Sequence, residues 1–120
     1  MADQELYSGL IRLHVLYHAL HERIFGLGMI RELQRHGYHI GPGTIYPLLH
    51  RMEAKGYLKS GPMLAGGKTR RCYVITPRGR RALEQARTKV RELFDEIFED
   101  HHDGRYTSAD RGRRVAIRQR

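Results

Sequence analysis

The apolar positions of this chain change period along its length. Leu6, Leu10, Leu13, Leu16 or Tyr17, Leu20 and Ile24 recur at steps of three and four, which predicts a helix over 6–24 with these residues facing inward. Gly26 and Gly28 predict a break or tight turn over 25–28, because glycine weakens a helix. Leu27, Ile30 and Leu33 share one face of a second helix over about 27–36, with Gly37 as its stop. Tyr38 to Gly43 reads as a short connector. A third helix starts near Pro42, since proline suits the first helical turn, and runs to about Lys55. Ile45, Leu48, Leu49 and Met52 face inward on it, and Gly56 ends it.

The pattern then becomes β-like. Residues 57–60 and 71–76 predict two strands, the second rich in β-formers. The segment 61–70 between them reads as a loop with its tip at Gly66-Gly67 and cations just after it. Thr76 suits the N-cap and Pro77 the first turn of a fourth helix. On that helix Leu83, Ala86, Val90, Leu93 and Ile97 alternate steps of three and four, a heptad seam that Phe94 and Phe98 widen. From about Asp103 the chain turns polar and basic and reads as a disordered arm. No internal repeat is present.

This order predicts a mainly α (α+β) fold, a winged helix-turn-helix with a C-terminal dimerisation helix. The expected divisions are a DNA-binding domain over 1–76 with its wing at about 57–76, a dimerisation helix over 77–102, and a basic tail over 103–120. The third helix would enter the major groove, and the hairpin would reach phosphates or the minor groove.

Composition narrows the class. At 120 residues the chain is one small domain, too short for a large two-domain enzyme. With 40% hydrophobic and 29% charged residues it reads as folded rather than disordered. There is no long apolar run for a membrane span, and the acidic, polar start is unlike a secretory signal. One cysteine, Cys72, excludes an internal disulfide and fits a reducing cytoplasm. The 22 Lys+Arg exceed the 13 Asp+Glu by 9, giving +9 before any histidine protonates. The excess is uneven: residues 1–67 carry 7 against 5, a net of +2, and residues 68–120 carry 15 against 8, a net of +7. One cluster is Lys68, Arg70, Arg71, Arg78, Arg80 and Arg81; the other is the arginine-rich tail. Such clusters suit phosphate backbones, where counterion release drives binding, with solubility alone as the plainer alternative.

The segment Gly41-Pro42-Gly43-Thr44-Ile45-Tyr46-Pro47-Leu48-Leu49-His50-Arg51-Met52-Glu53-Ala54-Lys55-Gly56-Tyr57-Leu58 resembles the core signature of PadR-type transcriptional regulators. Arg71-Cys72-Tyr73-Val74-Ile75-Thr76-Pro77-Arg78-Gly79 is similar to the wing strand and following turn of that family. The resemblance spans about residues 8–98. It implies a homodimeric winged-helix protein that usually represses transcription, with a C-terminal dimerisation helix, short in this chain. It also implies that Thr44 and Tyr46 meet DNA. Two departures stand out. Phe25-Gly26-Leu27-Gly28-Met29 replaces the usual His-Gly-Tyr-acid run, and Gly41 replaces the usual serine cap.

The expected DNA contacts are Pro42, Gly43, Thr44, Tyr46, His50 and Arg51 on the third helix, and Lys68, Thr69, Arg70 and Arg71 in the wing. Backbone N–H groups at the third helix's start favour phosphate. His50 follows Tyr46 by four and shares its face, and Arg51 could read guanine or clamp a phosphate. The competing readings are a core tyrosine, a solvated arginine and a mobile loop. Gly67-Lys68-Thr69 is no phosphate-binding loop of an ATPase, because Pro62 stands where the first glycine is needed and a strand follows. No enzyme is expected.

Leu83, Ala86, Val90, Leu93, Phe94 and Ile97 are the expected dimer seam, with the first helix packed on the partner's fourth. Two recognition helices would then lie about 34 Å apart on a near-palindromic operator. A small-molecule effector at the interface could release DNA; the sequence does not name it, and Tyr7, Tyr17, Phe94 and Phe98 are its nearest aromatic candidates. No metal or other cofactor is expected. His14, His18 and His21 would be the ligands if one bound, with His101-His102-Asp103 as a second cluster, and a polar flank is the plainer reading. The competing functions are a non-specific architectural DNA binder and a metal- or redox-responsive sensor using the histidines or Cys72.

Overall fold

The computed structural model describes residues 3–103, so the expected arm lies outside the described residues from 104 onward, as do the side chains of His101, His102 and Asp103. The first helix, α1, covers Gln4–His21. Asp3 caps it, its carboxylate accepting from the backbone N–H groups of Glu5 at 3.0 Å and Leu6 at 3.3 Å. The helix ends three residues short of the predicted 24, because Ile24–Phe25 forms a strand, β1. Ile24 follows Leu20 by four, so its apolar character fits either element. The buried face of α1 is also rotated from the predicted one. Ile11, Val15, Leu16 and Ala19 are buried, whereas Leu6 is 70% and Leu10 43% exposed.

Helix α2 spans Gly26–Arg35. The two glycines expected to break the chain instead form its first turn. Met29 and Leu33 face the core, and Leu27, read on one face with Ile30 and Leu33, is exposed. Gly37 closes α2 in a Schellman arrangement, with Gly37 N–H donating to Gln34 O and Tyr38 N–H to Leu33 O. Helix α3 spans Pro42–Ala54 and buries Ile45, Leu48, Leu49 and Met52, the predicted face. A second Schellman arrangement follows, in which Gly56 N–H donates to Glu53 O and Tyr57 N–H to Met52 O.

Strands β2, Leu58–Ala65, and β3, Lys68–Ile75, form a hairpin whose register runs from Leu58↔Ile75 to Ala65↔Lys68. Gly66 and Gly67 make the two-residue turn with φ of +59° and +77°, the geometry that matches strand twist. The strands extend through most of the predicted loop. Pro62 is tolerated within β2 because β2 is an edge strand in the sheet order β1-β3-β2. Strand β1 pairs antiparallel with β3 through Ile24↔Tyr73 and Phe25↔Cys72.

Helix α4 spans Pro77–Asp103. Thr76 caps it as expected, its Oγ1 accepting from Gly79 N–H at 3.0 Å. The chain divides into two units inside α4, after Ala86, so the first turns of α4 belong with the winged-helix unit. Leu83, expected on the dimer seam, is partly buried and packs on the core cluster of that unit. Val90, Leu93, Phe94, Ile97 and Phe98 lie in the second unit and are 44–55% exposed.

Candidate nucleic-acid interface

The inward stripe of α3 leaves its other faces free. Pro42, Gly43, Pro47, His50 and Arg51 are exposed, while Thr44 and Tyr46 are partly buried. Exposure of this kind suits a helix that seats in a groove of DNA. Tyr46 differs from the reading of a free probe. Its ring packs on the core cluster and covers Gly26 at the start of α2, so closely that a β-carbon on Gly26 would overlap ring carbons. Tyr46 thus closes the α2–α3 junction while staying partly exposed.

Tyr46 also lines an open cleft of about 240 Å³ with Phe25, Gly26, Leu27, Arg70 and Arg71. The first turn of α2 and two wing arginines thus meet at one place. Phe25 provides no side-chain cap hydrogen bond for the first N–H groups of α2. Helix N-terminus and guanidinium groups together favour an anion of phosphate type. The sequence reading missed Phe25, Gly26 and Leu27. The available signal was the pair Gly26 and Gly28 following a residue that cannot cap.

Lys68, Thr69, Arg70 and Arg71 are all exposed on β3. Arg71 is held in place. Its Nη1 donates to Ser60 Oγ at 2.7 Å, and Ser60 Oγ donates in turn to the Glu53 carboxylate at 2.8 Å. The Ser60 backbone N–H donates to Glu53 Oε2 at 3.0 Å. The Ser60 hydroxyl bond holds the Glu53 carboxyl below the usual carboxylate range; burial opposes this, and the Ser60 backbone bond and nearby Arg71 reinforce it. Glu53 lies in the last turn of α3 and Ser60 on β2, so this chain of bonds ties α3 to the wing. Beside it Tyr73 is fully buried, with its hydroxyl lacking a hydrogen-bond partner among the described residues, and burial pushes its pKa up.

The remaining candidates separate. Cys72 is buried. His14 and His18 come together with His36 rather than with His21, which is exposed and sits edge-on to Tyr17. Among the described residues, no helix is long and apolar enough to cross a membrane.

A three-helix body with an exposed third helix, a basic two-stranded wing and a further helix defines a winged helix-turn-helix DNA-binding protein. Residues 15–85 match the Transcriptional regulator PadR-like family. The transcriptional regulator Rv3488 of Mycobacterium tuberculosis is 43% identical over 95 residues, covering 79% of this chain and 89% of that protein. The crystal structure of a PadR family transcriptional regulator from Eggerthella lenta is 33% identical, with a TM-score of 0.67 over 79% of this chain and 84% of that one. A PadR-like transcriptional regulator from Bacillus cereus is 25% identical, with a TM-score of 0.74 over 79% of this chain and 94% of that one. The chain belongs to the PadR-like family of transcriptional regulators, a family of regulators rather than enzymes.

Proposed function

We propose that this chain is a homodimeric, sequence-specific repressor that works on DNA in the cytoplasm. In this reading α3 enters the major groove and presents His50 and Arg51 to base edges or phosphates. Pro42, Gly43, Thr44 and Tyr46 approach the backbone at its N-terminal end. Lys68, Thr69, Arg70 and Arg71 take phosphates from the wing, and the cleft beside Tyr46 seats one of them. The observation that carries the reading is that cleft, where the start of α2, Tyr46 and two wing arginines meet beside the exposed face of α3.

Exposed apolar surface supports the dimer. Val90, Leu93, Phe94, Ile97 and Phe98 lie bare on α4, as do Leu6, Leu10 and Tyr17 on α1. Surfaces of this kind mark association sites, and α1 of one chain against α4 of its partner covers both. Two-fold symmetry then sets two α3 helices about one DNA turn apart, ~34 Å, on a near-palindromic operator. An effector bound at that interface would change the spacing of the two heads and release DNA. Sedimentation of the full chain, alone and with a labelled duplex, tests the assembly. A dimer in solution and two chains per bound duplex support it; a monomer bound one per duplex contradicts it.

A further inference from the structure

Two i,i+4 pairs face each other across the α1–α2 contact: His14 and His18 on α1, and Glu32 on α2 with His36 at its C-cap. Each of the three histidines offers one ring nitrogen, and those three atoms all lie within 4.8 Å of one another. The Oε2 of Glu32 stands 3.5 Å from His18 Nε2 and 3.4 Å from His36 Nε2. Its other oxygen is occupied by Arg35 Nη1 at 3.1 Å, which turns Oε2 toward the imidazoles. The His14 and His36 rings stack at 4.6 Å.

The spacing is informative. A charge-assisted N–H···O bond closes to about 2.7–2.9 Å, shorter than either Glu32–His distance. Ligands held at about 2.0–2.1 Å on a tetrahedral cation stand about 3.3–3.4 Å from each other. Glu32 Oε2 is therefore already at ligand spacing from the His18 and His36 imidazoles. The His18 and Glu32 side chains are 21% and 24% exposed and that of His36 is 44% exposed, so an ion reaches the site from solvent.

We propose that His14, His18, His36 and Glu32 form a binding site for a divalent transition-metal cation. Three imidazoles and a carboxylate, with no thiolate, suit Zn²⁺, Ni²⁺ or Cu²⁺ and disfavour soft cations such as Cu⁺. A bound cation cross-links α1 to α2 and stabilises the fold by mass action. The inference does not depend on the DNA-binding reading.

Calorimetric titration of the full chain with ZnCl₂ tests it. One ion per chain is expected, with binding weakened at least about tenfold in His36→Gln and in Glu32→Gln. The variants His21→Gln and His101→Gln/His102→Gln should bind like the parent. Unchanged metal-free melting of the His36 variant shows that its fold is intact. If a variant does not fold, proton NMR of the unaltered chain decides: Zn²⁺ should shift the ring resonances of His14, His18 and His36 before those of the other histidines. No saturable binding, binding that survives His36→Gln in a folded chain, or ring shifts confined to other histidines overturns the proposal.

Discussion

The ring of Tyr46 occupies the space that a β-carbon on Gly26 would need. The contact locks the first turn of α2 against α3 and shapes one wall of the basic cleft. Gly26→Ala should force the ring out, costing about 1–3 kcal/mol of stability as an overpacking change. Gly28 lies two residues on in the same helix, and a β-carbon there meets nothing. Gly28→Ala should therefore be neutral or stabilise by up to about 1 kcal/mol, through helix propensity. Urea denaturation of both variants checks the contrast.

The bonds from Glu53 through Ser60 to Arg71 predict a pH dependence. Because the Glu53 carboxyl is held low in the folded chain, its stabilisation is present above its ordinary value of 4.5. It is lost as pH falls through the lowered folded value. Glu53→Gln should cost about 1 kcal/mol near neutral pH and progressively less in acid below that ordinary value. Melting temperatures of the variant and parent should converge as the pH is lowered, and a gap that persists in acid would contradict the assignment.

The positions along α3 were legible because four apolar residues in one stripe leave no competing face. The face of α1 was not. Leucine and aromatic residues surround that helix on nearly all sides, so periodicity alone could not choose Ile11 and Val15 over Leu6 and Leu10. Strand β1 escaped because two residues are too few to show a period of two, and its pairing with Tyr73 and Cys72 is a long-range event. Pro62 hid the length of β2, since a proline excludes a central strand but not an edge. The wing cations were visible as a cluster; that Arg70 and Arg71 meet the start of α2 required the three-dimensional register. His36 was missed because a sequence scan for ligands stays within one helix.

Leu83 and Leu93 separate the two roles of α4. Leu83 packs on the core of the winged-helix unit, whereas Leu93 is 55% exposed. Leu83→Ala should lower stability by about 1–3 kcal/mol without changing the association state. Leu93→Asp should do the reverse, leaving the winged-helix unit folded and shifting the chain toward monomer. Sedimentation velocity and thermal melting on the two variants distinguish these outcomes.

The wing and α3 should fail differently. If Arg70 holds a phosphate, Arg70→Ala should weaken binding similarly for all duplexes and lower the salt slope by about one. If Arg51 reads a guanine, Arg51→Ala should cost about 1–3 kcal/mol on the preferred site and relax the preference at one position. Fluorescence anisotropy titrations at several salt concentrations measure both.

Enrichment of a random duplex library by the full chain, followed by sequencing of the bound pool, tests the central claim most directly. A sequence-specific dimer reading DNA through α3 predicts an inverted repeat with half-sites about one helical turn apart. A bound pool without any enriched sequence, released steeply by salt, would mean that the basic surface alone carries the affinity and would contradict the account.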